Sequence, residues 1–191
     1  MKILNISELT IPEIKVIKFA KYNDDRGYFS ETLNHQVVKT ECPFLSGFTF
    51  KQTNESFSYA NTLRGLHIQT NMGKLVRLVY GKMIDFALDL RDESPTYKHI
   101  VAYELHSTNS ISEWIWLPPG FAHGVWLIED SLIEYYCTTL YNPSQEFTYP
   151  FFSPDINWSL CDTKIKDMLT ALDMNTIRIK DSDLVSTFPD K

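Results

Sequence analysis

Asn61-Thr62-Leu63-Arg64-Gly65-Leu66-His67-Ile68-Gln69 reads as a β-strand of uncommon character. Successive strand side chains point to opposite faces, so His67 and Gln69 share one face, while Arg64-Gly65 interrupts the apolar positions before them. One face of this strand is therefore polar. In a closed barrel such a face points either to solvent or into a ligand cavity. Outward from it, most segments from Phe19 to Tyr141 alternate with period two or form short β-rich runs closed by turn residues, and helical periodicity is scarce. Candidate strands fall at 47–54, 62–69, 74–80, 82–90, 99–105, 113–117, 124–127 and 132–139, separated by turn-like stretches at 91–95, 107–110 and 118–120. That spacing predicts an all-β core, folded as a jelly roll or barrel.

Two short helices are expected beside it. One lies near 34–40. The other spans 162–172, where Ile165, Met168, Leu169 and Leu172 recur at helical spacing behind a possible Asp162 N-cap. The chain shows no internal repeat, low-complexity tract or obvious linker. Its 191 residues, 43% hydrophobic and 14% aromatic, suffice for one sizeable core. One unit over 1–191 is expected, with its core at about 15–158 and a C-terminal helical tail at 159–191.

Net charge is −6 and the pI is near 5.3, with Lys and Arg scattered, so no basic stripe recommends nucleic acid. Residues 1–19 contain neither an unbroken apolar signal segment nor a long uncharged run, so a cytoplasmic location without membrane association is expected. Cys42, Cys137 and Cys161 are odd in number and lack C-x-x-C spacing, which argues against a disulfide framework or a thiolate zinc site.

Tyr135 and Cys137 share one face of a late strand and Tyr136 takes the other, so at most one of the adjacent tyrosines points inward. A strand tyrosine also packs well with no chemical duty. The turn Pro118-Pro119-Gly120-Phe121-Ala122-His123-Gly124 carries the P-x-G-x-x-H spacing that resembles the second motif of cupins. A metal-binding cupin also needs an H-x-H pair and an acid earlier in the chain, and that place reads His67-Ile68-Gln69. No metal site is expected.

Several motifs then occur in one order: Arg26-Gly27-Tyr28-Phe29-Ser30-Glu31, Gln52-Thr53-Asn54-Glu55-Ser56, Leu63-Arg64-Gly65-Leu66-His67-Ile68-Gln69, Lys74-Leu75-Val76-Arg77, Asp89-Leu90-Arg91 and Pro119-Gly120-Phe121-Ala122-His123-Gly124. Together they resemble the dTDP-4-dehydrorhamnose 3,5-epimerase family, densely over residues 15–158 and more weakly in the tail. The resemblance implies a cupin-type jelly-roll β-barrel, a homodimer, a nucleoside-diphosphate 4-keto-6-deoxyhexose substrate (a dTDP-sugar) and no cofactor or metal. Protons beside a ketone are weakly acidic because their loss gives an enolate. Such an enzyme needs a base on one sugar face, an acid on the other and positive charge at the developing oxyanion.

By the same resemblance, His67 is the general base, Lys74 the enolate stabiliser and Tyr135 the acid, with Tyr136 in the family's lysine position. The aspartate orienting the histidine matches Asp181 in Ile177-Arg178-Ile179-Lys180-Asp181, although the distance from Trp158 is longer than usual and the 162–172 helix accounts for the surplus. Substrate contacts carry over to Arg26, Phe29, Glu31, Gln52, Thr53, Asn54, Arg64, His123, Glu146 and Lys180. Guanidinium groups suit phosphate oxygens with paired donors.

Three departures bear on the reaction. The stretch from His67 to Lys74 is short, Val125 replaces the usual aromatic after His123-Gly124, and the 162–172 helix is added. They leave room for a single-site epimerase or one acting on another nucleotide keto-sugar such as a heptose. A non-catalytic sugar-nucleotide binding module and a metal-dependent cupin enzyme are the rivals of other classes.

Overall fold

The structure is a computed structural model that describes residues 1–108 and 110–189. Asn109, in the expected 107–110 turn, lies outside the described residues. The strands are β1 (Ile3–Glu8), β2 (Lys15–Ala20), β3 (Tyr22–Asp24), β4 (Gly27–Phe29), β5 (Gln52–Ser58), β6 (Thr62–Gln69), β7 (Lys74–Tyr80), β8 (Lys82–Asp89), β9 (Ile100–His106), β10 (Ile111–Leu117), β11 (Phe121–Leu127), β12 (Ser131–Cys137) and β13 (Glu146–Thr148), with helices α1 (His35–Glu41) and α2 (Thr163–Thr170). A six-stranded sheet ordered β1-β2-β10-β7-β12-β5 faces a five-stranded sheet ordered β13-β6-β11-β8-β9, and β3 and β4 form a separate hairpin. Sequence neighbours repeatedly lie in different sheets, as in a jelly roll.

Alternation decides what each face does. Val76, Leu78, Ile115 and Ile133 from one sheet meet Met83, Ala87, Val125 and Leu127 from the other, and these side chains fill the space between the sheets. The outer face of the five-stranded sheet is buried as well: Leu63, Leu66, Ile84, Phe86 and Leu88 pack against Phe151, Ile156 and Ile165 of the C-terminal segment. β8 is accordingly apolar on both faces, and its inward Asp85 is out of keeping with its neighbours. On the other sheet, Val38, Cys42 and Leu45 from α1 and the following turn cover Ile17, Leu75, Trp114 and Trp116.

Both helices form where expected because their caps are present. Asn34 Oδ1 accepts from the Gln36 and Val37 amides, and Asp162 Oδ1 accepts from Lys164 N–H at 2.8 Å. The 47–54 strand is displaced to β5. Phe48 and Phe50 instead pack against Trp116, at ring separations of 5.0 and 6.4 Å, and bonding to β12 begins only where Lys51 N–H donates to the Cys137 carbonyl at 2.8 Å. Strands β1 to β4 and β13 were not expected: β1 lies at a sheet edge, where exposure blurs alternation, and β3, β4 and β13 are three residues each.

Candidate active site

A bulge in β6 sets the geometry. His123 of β11 stands opposite His67, and Val125 stands opposite Arg64, so three steps along β6 match two along β11. One extra residue shifts the alternation by half a period. Arg64 and His67, which strict alternation would place on opposite faces, thereby line the same cavity. Gly65 sits in the bulge with φ +100°, and a Cβ there would stand 2.5 Å from the His123 carbonyl oxygen. Only glycine fits.

The cavity measures about 600 Å³ and opens between the two sheets. From the five-stranded sheet, His67 Nε2 lies 2.9 Å from Asp183 Oδ1, and the second carboxylate oxygen accepts the Gly65 amide at 3.2 Å. A carboxylate only accepts, so Nε2 is the ring nitrogen that donates to Asp183. This corrects the expectation for Asp181, which is exposed. Both belong to a 3-10 turn, Asp181–Leu184, whose Asp183 amide bonds the Lys180 carbonyl and whose only buried residue is Asp183. The turn carries the second acid inward and leaves the first in solvent.

Beside it, His123 Nε2 lies 2.8 Å from Asp85 Oδ2, and Asp85 is 1% exposed. Asp85 Oδ1 has no hydrogen-bond partner among the described residues. The register that pairs His67 with His123 thus sets two carboxylate-backed imidazoles side by side on one wall.

Lys74 and Tyr135 occupy the opposite wall. They lie on the paired strands β7 and β12, with Lys74 opposite Cys137 and Tyr135 opposite Val76. Burial lowers the Lys74 pKa, partly offset by Cys137, Glu146 and Asp85. Burial likewise raises the Tyr135 pKa, with Cys137 and Glu146 adding to the rise and Arg64 opposing it, so the phenol stays protonated. Tyr136 points the other way, its ring 5.8 Å from Phe50 and 5.2 Å from Trp114.

Arg64, His123, Glu146 and Lys180 also line the cavity. Arg64 is steadied by Ser58 Oγ at 2.8 Å. Six residues expected at the substrate do not line it. Gln52 and Asn54 face inward on β5 opposite Cys137 and Tyr135, and Asn54 Nδ2 donates to Cys137 Sγ at 3.6 Å. Thr53, opposite Tyr136, faces outward. Arg26 and Phe29 are on the exposed β3–β4 hairpin, where Arg26 pairs with Asp24 and holds that carboxyl below its ordinary pKa. Glu31 meets the Met1 amino group and accepts from Asn34 Nδ2 at 2.9 Å.

Asp85, Asp183, Arg178 and Tyr141 are not among the residues expected at the site. Asp85 had a signal, an acid in mid-strand between apolar neighbours. Asp183 had none that separates it from Asp181. Tyr141, half exposed, donates its hydroxyl to Glu146 at 2.9 Å, and its amide donates to Gln52 Oε1. Gln69, where a cupin ligand would stand, is buried and committed to structure: its amide group donates to Thr139 and the Leu140 carbonyl and accepts from Asn142 N–H. Among the described residues no three His, Cys, Asp or Glu side chains converge on one point.

Facing sheets are separated by roughly 10 Å, a gap that admits one flat ring. His67 lines the wall formed by the five-stranded sheet, and Tyr135 and Lys74 line the wall formed by the six-stranded sheet. The arrangement can remove a proton from one face, hold the resulting anion and return a proton to the other.

Residues 8–181 match the family described as dTDP-4-dehydrorhamnose 3,5-epimerase. The chain is 39% identical over 150 residues to the enzyme of that name from Methanothermobacter thermautotrophicus, covering 76% of this chain and 78% of the relative. To the one from Neisseria gonorrhoeae it is 36% identical over 162 residues, 82% of this chain, and it spans about half, 48%, of that relative's length. Among solved structures it is similar to the Legionella pneumophila dTDP-6-deoxy-D-glucose-3,5-epimerase in complex with dTDP-4-keto-L-rhamnose, with TM-score 0.74, 31% identity and coverage of 92% of this chain and 98% of that one.

Proposed function

Because the chain belongs to the dTDP-4-dehydrorhamnose 3,5-epimerase family, we propose that it inverts C3 and C5 of a dTDP-4-keto-6-deoxyhexose. The observation that carries this is the placement of the His67–Asp183 pair and Tyr135 on facing walls of one cavity. His67 Nδ1 takes the proton from the carbon beside the ketone, and Asp183 stabilises the imidazolium that forms. The electron pair moves to the C4 oxygen, where Lys74 meets the negative charge. The Tyr135 hydroxyl then delivers a proton to the opposite face. Solvent exchange resets both groups, and the same cycle inverts the second carbon.

Arg64, His123, Glu146 and Lys180 bind the sugar and diphosphate in this reading. Gln52 and Asn54, on the inward side of β5, lie nearer the nucleotide, and Tyr141, half exposed and bonded to the cavity residue Glu146, offers a ring suited to stacking on a base. Arg26, Phe29 and Glu31 act from a homodimer: Phe29 is 69% exposed on a hairpin beside Tyr22 and Tyr28, and a two-fold interface delivers such an element to the second copy's cavity. Sedimentation of the wild type and Phe29→Asp checks this, a dimer that Phe29→Asp splits being expected and a monomeric wild type overturning it.

Proton NMR in D2O with dTDP-4-keto-6-deoxyglucose tests the reaction. Deuterium at both C3 and C5 supports it. Label at one carbon alone reduces the protein to a single-site epimerase, and no label leaves a binding module.

A further inference from the structure

We propose that Arg178, a residue of the C-terminal tail, is a second guanidinium for the substrate's diphosphate, set beside Arg64 on one rim of the cavity. For its ligand the inference rests on the nucleotide-sugar reading. The tail is laid along β6 by main-chain bonds: Arg178 N–H donates to the Asn61 carbonyl at 2.8 Å, and its carbonyl accepts from Leu63 N–H at 2.9 Å. These contacts form a parallel bridge between Thr62 and Arg178. Bridge partners point to the same side of a sheet, and so do residues two apart on one strand. Thr62, Arg64 and Arg178 therefore present their side chains to one side, and all three line the cavity.

The charge there is unbalanced. Arg178 is exposed and has neither an ion pair nor a side-chain hydrogen bond among the described residues, its guanidinium instead lying 5.7 Å from the Tyr59 ring. Lys180 is likewise without an ion-pair partner among them. Of the carboxylates at the cavity, Asp183 and Asp85 are engaged by His67 and His123, which leaves Glu146, already bonded to Tyr141. A protein of net charge −6 thus concentrates unpaired cations on one rim, where they meet an anion. Two planar guanidinium forks match the oxygens of a diphosphate better than flexible ammonium groups do. The Tyr59 ring holds the Arg178 fork without using its N–H donors.

Calorimetric titration with inorganic pyrophosphate, dTDP and thymidine tests the assignment. Arg178→Gln is expected to weaken pyrophosphate and dTDP by about tenfold and leave thymidine unchanged, with part of the loss regained in Arg178→Lys. The salt dependence of dTDP binding should also flatten in Arg178→Gln. Undiminished pyrophosphate and dTDP affinity overturns the proposal. So does an equal loss for thymidine, which marks an undocked tail, and so does a wild type that binds neither anion. If the wild type binds pyrophosphate through Arg178 yet exchanges no sugar proton, the epimerase reading falls and the anion grip stands.

Discussion

Asp183 lies 2.9 Å from His67 although 116 residues separate them in the chain. The carboxylate is 4% exposed and also accepts the Gly65 amide, so one tail residue holds both the imidazole and the strand that carries it. A partner so placed fixes which nitrogen is protonated and offsets the charge formed when His67 accepts a proton.

Asp183→Asn should therefore lower the exchange rate by on the order of 10²–10⁴, as loss of an orienting carboxylate does. Asp181→Asn, on the exposed side of the same turn, should stay within about twofold. Equal effects of the two substitutions in single-turnover exchange would falsify the assignment.

Tyr135→Phe separates the two proton transfers. His67 can still remove and return a proton on its own face, so deuterium should enter with the configuration retained while inversion falls by about 10²-fold or more. Tyr136→Phe should leave both rates near wild type, because that ring faces the outer aromatic cluster. Complete loss of exchange in Tyr135→Phe contradicts this division of labour.

Lys74→Met should cost about 10²–10³ in turnover through loss of enolate stabilisation. The same substitution should raise the melting temperature, since a buried cation with a lowered pKa opposes folding while it is charged. The sign follows from linkage. Between the folded and unfolded pKa the unfolded chain holds a proton that the folded one releases, so wild-type stability gains from this group as pH rises through that window. Lys74→Met should lack the gain. The lowered pKa also predicts that activity falls on the alkaline side earlier than an ordinary lysine would allow, and Lys74→Arg should move that limb upward if it retains activity. Melting curves and pH–rate profiles decide both points.

Gly65→Ala should destabilise the fold by about 2 kcal/mol or more, because it combines a positive φ with a 2.5 Å approach to the His123 carbonyl oxygen. Chemical denaturation measures the loss. A neutral result would mean that β6 and β11 do not pair through this bulge.

What the sequence determined by itself was whatever depends on local order. Period-two alternation placed the core strands, Asn34 and Asp162 marked where the helices begin, and the parity of β12 sent Tyr135 and Tyr136 to opposite faces. The ordered motifs identified the family, because residue types at set spacings survive without coordinates. Tertiary structure decided what depends on long-range register. Strict alternation separates Arg64 from His67, and only the pairing with β11 reveals the extra residue that reunites them. Asp181 and Asp183 are equivalent as letters. The docking of the tail beside Thr62 and the turn that follows determine which carboxylate meets His67. The hairpin bearing Arg26 and Phe29 matches its motif and yet lies outside the cavity of its own chain. Spacing along a chain says which side of a strand a residue takes, and only packing between distant segments says what stands opposite it.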